Sequence, residues 1–247
     1  MPRVSSATDH YDNHLGPICA WMVGDPKSAQ GRAGAELADM GLTEGGGALA
    51  LDLGAGLGLH SAALARAGFR VLAIDSCEVL LDTLRERCRG LAVQVVRDDL
   101  AGFTRHLEGP AAVILCLGDT LTQLPSRAAV DTLFDAVRDA LAPGGLFAAS
   151  FRDYVSTELK GDARYILVKR DEERVLTCCL TYGPEHVTVQ DILTERRASE
   201  WVQTVSSYPK LRLAPAALAQ ALTERGLTAR VETAPAGMVR VIATQPR

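Results

Sequence analysis

The pattern of apolar and polar residues changes character along the chain. Between residues 48 and 152, short apolar runs alternate with amphipathic stretches, as in parallel strands joined by crossover helices. The strand segments are almost continuously apolar, which is typical of strands covered on both faces. A doubly wound α/β sheet is therefore predicted, with strands at 48–53, 70–74, 92–96, 111–115 and 146–151 and helices at 59–67, 79–87 and 127–141.

The periodicity differs after residue 152. Segments 164–170, 174–182, 187–195 and 200–208 are predicted to be successive strands of an inserted antiparallel sheet. A helix at 215–225 and strands at 227–232 and 238–244 then complete a seven-stranded sheet whose last strand is antiparallel. We expect a single domain over 1–247, made of a helical cap (1–47), a ligand-binding core (48–152), the insertion (153–210) and a closing unit (211–247).

Composition narrows the class of protein. The 247 residues are 47% hydrophobic, enough for one domain with a substantial core. Lys and Arg total 26 against 30 Asp and Glu, so no basic excess indicates a nucleic-acid partner. No long uncharged apolar run and no signal-peptide pattern occur, so we expect a soluble, cytoplasmic protein without a membrane partner. The six cysteines lack CxxC spacing, and no metal site is predicted.

A glycine-rich turn follows the first predicted strand. Asp52 precedes Gly54, Ala55 and Gly56, and a helix starts soon afterwards. Glycines at alternate positions let the backbone turn sharply and approach a ligand closely. Asp75 ends the next strand, where a carboxylate can accept hydrogen bonds from both ribose hydroxyls, although a helix N-cap role for it stays open. The turn predicts a Rossmann-like site for a nucleotide-type ligand.

The spacing GxGxG, in place of GxGxxG, resembles the signature of class I S-adenosylmethionine-dependent methyltransferases. The segments 97–100, 115–120 and 141–145 resemble later motifs of that family, in the same order. The resemblance implies S-adenosylmethionine as cofactor and S-adenosylhomocysteine as product. It assigns the cofactor to Asp52, Gly54, Ala55, Gly56, Asp75, Ser76, Asp99, Leu100 and Leu117, of which Asp99 would meet the adenine.

Other stretches resemble glycine N-methyltransferase and related small-molecule methyltransferases. The matching segments are 11–12, 21–25, 116–119, 151–154, 185–189 and 207–209. This resemblance implies that Arg152 binds a substrate carboxylate through paired, charge-assisted hydrogen bonds and that Tyr11 and Tyr208 border the sulfonium. With Asp119, these residues form the predicted catalytic set. A surface ion pair for Arg152 and a half-buried strand position for Tyr208 stay open.

Three positions depart from the family pattern. Asp119 stands where the family has a neutral asparagine, and Gln123 replaces a histidine. The family arginine that binds the cofactor carboxylate falls near Ala29, which leaves Lys27 or Arg32 as candidate substitutes. Glycine itself is therefore not expected to be the substrate.

The leading prediction is methyl transfer to nitrogen or oxygen of a small, carboxylate-bearing metabolite. An alternative keeps the cofactor but has its own amine attack its side chain, which releases methylthioadenosine without an acceptor. Further alternatives are a non-catalytic cofactor-binding regulator and an NAD-dependent dehydrogenase. A small molecule is the expected partner, and a homodimer stays open.

Overall fold

The computed structural model describes residues 5–247 and contains two sheets. The strands are β1 (Leu49–Leu53), β2 (Arg70–Asp75), β3 (Val93–Arg97), β4 (Ala111–Cys116), β5 (Leu141–Phe151), β6 (Tyr165–Arg170), β7 (Arg174–Tyr182), β8 (His186–Arg197), β9 (Glu200–Leu211), β10 (Thr228–Ala234) and β11 (Met238–Thr244). The central sheet has the order β10-β11-β5-β4-β1-β2-β3, and the second has the order β6-β7-β8-β9. Strand β11 pairs antiparallel with β5 and β10, while β1 to β5 are parallel.

Helices cover both faces of the central sheet. They are α1 (Ala7–His10), α2 (Gly16–Val23), α3 (Pro26–Asp39), α4 (Leu59–Arg66), α5 (Glu78–Arg87), α6 (Arg127–Ala140) and α7 (Pro215–Glu224). A π-helical turn, Tyr11–Leu15, joins α1 to α2, and a 3-10 segment, Leu100–His106, follows β3. Helices α3 to α5 pack on one face, and α6 and α7 pack on the other.

Alternation along each strand produces the two cores. On β1, Leu51 and Leu53 face the α6–α7 side, whereas Ala50 faces the α3–α4 side. Because successive side chains of a strand point to opposite faces, an almost continuously apolar strand can be buried on both. The sheet therefore acts as a rigid platform, and the residues that follow its parallel strands collect along one edge.

The insertion between β5 and α7 forms the second sheet, whose inner face carries a smaller apolar cluster around Val187 and Tyr208. The N-terminal segment packs on that face. The backbone N–H of Ser5 donates to the carbonyl of Ser207 (2.8 Å), and residues of α1 and α2 join the clusters of the inserted sheet.

The predicted fold class is confirmed, including the antiparallel last strand, the inserted sheet and the N-terminal helices. Strand β5 begins at Leu141 rather than at residue 146, because the Pro143-Gly144-Gly145 stretch lies within an irregular part of the β4–β5 pairing. The 3-10 segment after β3 was not predicted. Among residues 5–247, the helices are too short or too polar to cross a membrane.

Candidate functional site

A cavity of about 280 Å³ opens where β1, β2, β3 and β4 end. Its walls come from the turn after β1, the residues that follow β2, β3 and β4, and the N-terminal helices. In open α/β sheets, ligands bind outside the carboxyl ends of the strands. Of the predicted cofactor residues, those that line the cavity are Gly54, Ala55, Gly56, Asp75, Ser76, Asp99, Leu100 and Leu117.

The turn after β1 places backbone rather than side chains against the ligand space. Gly54 has a φ of 74°, and a Cβ there would lie 2.3 Å from a methyl carbon of Thr120. Gly56 has a φ of 52°, but a Cβ there would meet nothing within 4 Å and would project into free space. Because the left-handed region is costly for residues with a Cβ, both positions favour glycine. At Gly54 a side chain would in addition collide with Thr120.

Two carboxylates mark the ends of neighbouring strands. Asp75, at the end of β2, accepts hydrogen bonds from the backbone N–H groups of Gly56 (2.8 Å) and Cys77 (2.9 Å). Asp99 caps the 3-10 segment by accepting from Ala101 N–H (2.8 Å), and it also lines the cavity. Burial raises the pKa of Asp75 above its usual value. These carboxylates, together with the open space at Gly56, fit a nucleoside whose ribose and base carry hydrogen-bond donors.

Asp52 lies behind the cavity wall. Its carboxylate is buried and accepts a hydrogen bond from the hydroxyl of Ser61 (2.5 Å). Burial raises the pKa of Asp52, because the charged form is desolvated. Unlike Asp52, His60, which directly precedes Ser61, lines the cavity, and its Nε2 hydrogen-bonds to Glu36 (3.0 Å).

The N-terminal segment forms the opposite wall with Tyr11. The backbone N–H of Gly16 donates to the carbonyl of Tyr11 and closes the π-helical turn. A Cβ at Gly16 would lie only 2.6 Å from that carbonyl oxygen, so the close approach requires glycine. The phenol oxygen of Tyr11 accepts a hydrogen bond from Gln123 Nε2 (3.3 Å). Burial, and then the neighbouring Tyr208, raise the pKa of Tyr11 well above its usual value, so the phenol is neutral.

Asp119 does not line the cavity; it lies beside it, between the two sheets. Its carboxylate forms a buried ion pair with Lys210 (2.5 Å) and accepts from the backbone N–H of Arg152 (3.0 Å). The hydroxyl of Thr122 and the phenol of Tyr154 also donate to it. Burial alone would lower the pKa of Lys210, but Tyr208 and Asp119 outweigh it and raise that pKa well above its ordinary value.

Tyr208 is also buried outside the cavity lining. Its ring stacks on His10 at a centroid distance of 4.0 Å and meets the ring of Tyr11 edge-on at 6.2 Å. His10 hydrogen-bonds to Asp191 through Nε2 (2.9 Å) and to Ser206 through Nδ1 (2.7 Å). Tyr208 therefore supports Tyr11 from behind.

The basic residues expected at the site lie elsewhere. Arg152 is exposed and does not line the cavity, although its backbone contacts Asp119. Lys27 and Arg32 are exposed, and the Arg32 guanidinium donates to the carbonyl of Val23 (3.2 Å). The structure therefore brings Tyr11 and the glycine turn together with Asp75 and Asp99, and it leaves Arg152 apart.

Sequence reasoning missed Lys210 and His60. Lys210 lies two residues after Tyr208 in β9 and is buried, but polar residues recur along that strand, so no sequence pattern singled it out. His60 follows the glycine turn within the first turn of α4, a position that no motif singled out.

Comparison with known proteins finds a matching domain family and several relatives. Residues 50–145 match the methyltransferase domain family. Over 124 residues the chain is 31% identical to glycine/sarcosine N-methyltransferase of Aphanothece halophytica, covering 49% of this chain and 47% of the relative. Over 139 residues it is 30% identical to cypemycin N-terminal methyltransferase of a Streptomyces species, covering 55% of each. The chain spans about half the length of the curated relatives it matches.

Solved structures extend the likeness in fold to the whole chain. The structure of CalS10 with S-adenosylmethionine bound, an amino pentose methyltransferase from Micromonospora echinaspora, superposes with a TM-score of 0.68. The match covers 99% of this chain and all of that one, at 19% identity. At this identity the likeness concerns the fold, which includes the inserted sheet and the N-terminal helices.

Proposed function

We propose that this chain, which carries a methyltransferase domain of the class I S-adenosylmethionine-dependent type, transfers a methyl group from S-adenosylmethionine to an amine of a small molecule. The observation that carries the proposal is the cavity at the carboxyl ends of β1 to β4, where Asp75 and the open position at Gly56 face the same space. Asp75 would accept from the ribose hydroxyls, and Asp99 with Leu100 would border the adenine.

When bound, the cofactor supplies an activated methyl group on a positively charged sulfur. Methyl transfer is an in-line displacement, so the enzyme mainly aligns the acceptor and excludes water. The apolar residues Leu117, Leu124 and Pro125 line the cavity and would help to exclude water when the ligands are bound. The phenol oxygen of Tyr11 can accept an N–H of the acceptor and thereby direct its lone pair toward the methyl group.

Nitrogen is favoured over oxygen by the groups on the acceptor side. If the acceptor enters beside the N-terminal segment, the polar side chains that it meets there include Thr8, Tyr11 and Gln123, which are neutral. A hydroxyl acceptor needs a general base in the transition state, whereas an amine needs only to arrive unprotonated. The names of the relatives agree with this choice, since they include glycine/sarcosine N-methyltransferase, and CalS10 is an amino pentose methyltransferase.

The carboxylate predicted on the acceptor stays a proposal. Its support is the resemblance at Arg152, and its difficulty is that the Arg152 side chain is exposed beyond the cavity lining. A panel of amines tests whether the acceptor carries a carboxylate. It contains an amino acid, its methyl ester, an aminopentose and a peptide with a free N-terminus. If Arg152 binds the acceptor, the free acid is preferred over its ester, and Arg152→Ala removes that preference.

The decisive experiment incubates the protein with S-adenosylmethionine, with and without the amine panel, and identifies products by mass spectrometry. We expect S-adenosylhomocysteine to accumulate only when an acceptor is present. Methylthioadenosine formed without acceptor would instead support attack by the cofactor's own amine. Tight binding of S-adenosylhomocysteine without turnover on any amine would support the regulator.

A further inference from the structure

A basic side chain lies at the β1 end of the cavity, where no motif placed one. His60 lines the cavity, and 22% of its side chain is exposed. Its Nε2 hydrogen-bonds to Glu36 of α3 at 3.0 Å. Its other ring nitrogen, Nδ1, makes no hydrogen bond with residues 5–247 and is therefore free to bind a ligand.

The order of strands indicates which part of the cofactor reaches His60. Strands β3, β2 and β1 are neighbours, and Asp99 follows β3 while Asp75 ends β2. A nucleoside with its base at Asp99 and its ribose at Asp75 directs its 5′ substituent toward the turn after β1. In S-adenosylmethionine that substituent ends in an amino acid, which carries a carboxylate.

The surroundings of His60 favour its cationic form. Burial works against the charged ring, but the hydrogen bond to Glu36 and the charge of Asp52 outweigh it and raise the pKa of His60. Arg240, on β11, lies 3.6 Å from Glu36 and pairs also with Asp39 and Glu232. Glu36 thus lies between His60 and Arg240, and its hydrogen bond to Nε2 orients the imidazole ring.

We propose that the imidazolium of His60, oriented by Glu36, binds the carboxylate of the cofactor's amino-acid tail. This inference rests on the proposed function. It gives this chain a carboxylate-binding group in place of the arginine expected near Ala29, a buried position on α3. His60 would thus take the role for which Lys27 and Arg32 were the candidates, and neither of those residues lines the cavity.

The test compares two ligands that differ in that tail. S-adenosylhomocysteine carries the amino acid, and methylthioadenosine lacks it, so calorimetry with both isolates the contact. For His60→Gln we expect the Kd of S-adenosylhomocysteine to rise about 10- to 100-fold, because a charge-assisted hydrogen bond is lost. The Kd of methylthioadenosine stays unchanged, which also shows that the variant is folded.

Two controls complete the design. His106→Gln removes a histidine that likewise hydrogen-bonds to a carboxylate, that of Asp98 (2.7 Å), outside the cavity lining, and both affinities should persist. Asp75→Asn should weaken both ligands. Equal losses for both ligands in His60→Gln, or no loss for either, overturn the role of His60 while leaving the proposed function in place. If the unaltered protein binds neither ligand, the proposed function itself fails.

Discussion

The ammonium of Lys210 lies 2.5 Å from the carboxylate of Asp119, and both side chains are buried. The pair connects β9 of the inserted sheet to the loop after β4 of the central sheet. Asp119 adopts a φ of 73°, a left-handed conformation that Asp and Asn tolerate better than most residues. One ion pair thus joins the two sheets beside the cavity.

Removing one partner of this pair leaves a buried charge. We expect Lys210→Met to lower the free energy of unfolding by about 3–5 kcal/mol, because Asp119 then lacks its counterion. The double variant with Asp119→Asn should recover most of this loss, since asparagine keeps the left-handed backbone and carries no charge. Urea unfolding of the single and double variants measures both values, and losses that simply add would show that the two groups do not interact.

The two glycines after β1 should respond differently to alanine. Gly54→Ala forces Thr120 to move, so its melting temperature should fall well below that of Gly56→Ala. Gly56→Ala should lower the free energy of unfolding by only about 1–2 kcal/mol, because it adds backbone strain without a clash. Because Gly56 lines the cavity and an added Cβ meets no protein atom, we expect the methyl group to occupy ligand space and to weaken S-adenosylhomocysteine binding roughly 5- to 100-fold. Calorimetry and thermal unfolding separate the two effects; unchanged affinity in Gly56→Ala would exclude that part of the cavity as the cofactor site.

The affinity for S-adenosylhomocysteine should fall both at high pH and at low pH. The pKa of His60 lies above its usual 6.5. Binding therefore weakens as the pH rises through this raised pKa and the ring loses its proton. The pKa of Asp75 lies above its usual 3.8, so binding also weakens in acid as that carboxylate is protonated. Methylthioadenosine should show the acid limb alone. Calorimetry from pH 3.5 to 9 records both profiles. If the loss of affinity at higher pH persists in His60→Gln, another group causes it.

The contact between His10 and Asp191 should control how firmly the N-terminal segment is held. His10→Ala removes the hydrogen bonds to Asp191 and Ser206 and the stacking on Tyr208. We expect chymotrypsin to cleave after Tyr11 and Trp21 roughly tenfold faster, because local opening exposes the segment. Ser206→Ala, which loses one of these hydrogen bonds, serves as the milder comparison. Identical cleavage rates in all three proteins would mean that other contacts hold the segment.

The parts of the fold that depend on local sequence were predictable. The strands of the central sheet follow from apolar runs, and Asp75 follows from its position at a strand end after a glycine turn. The pairing of Lys210 with Asp119 was not predictable, because it requires the register of β8 against β9 and the packing of one sheet on the other.

Arg152 carries a role that only the resemblance implies. It lies directly after β5, and its side chain is exposed outside the cavity lining. His60 shows the reverse case, because its role depends on Glu36, 24 residues earlier, which reaches it only through the packing of α3 on α4.

The N-terminal segment sets the order in which the site can be built during synthesis. Residues 5–14 leave the ribosome early, yet Ser5 and His10 bond to residues 207 and 191, which follow far later in the chain. The wall that contains Tyr11 must therefore wait for β8 and β9, although the glycine turn and Asp75 can form much earlier. The placement of Tyr11 thus depends on strands made after residue 185, whereas every other residue that lines the cavity lies before residue 126.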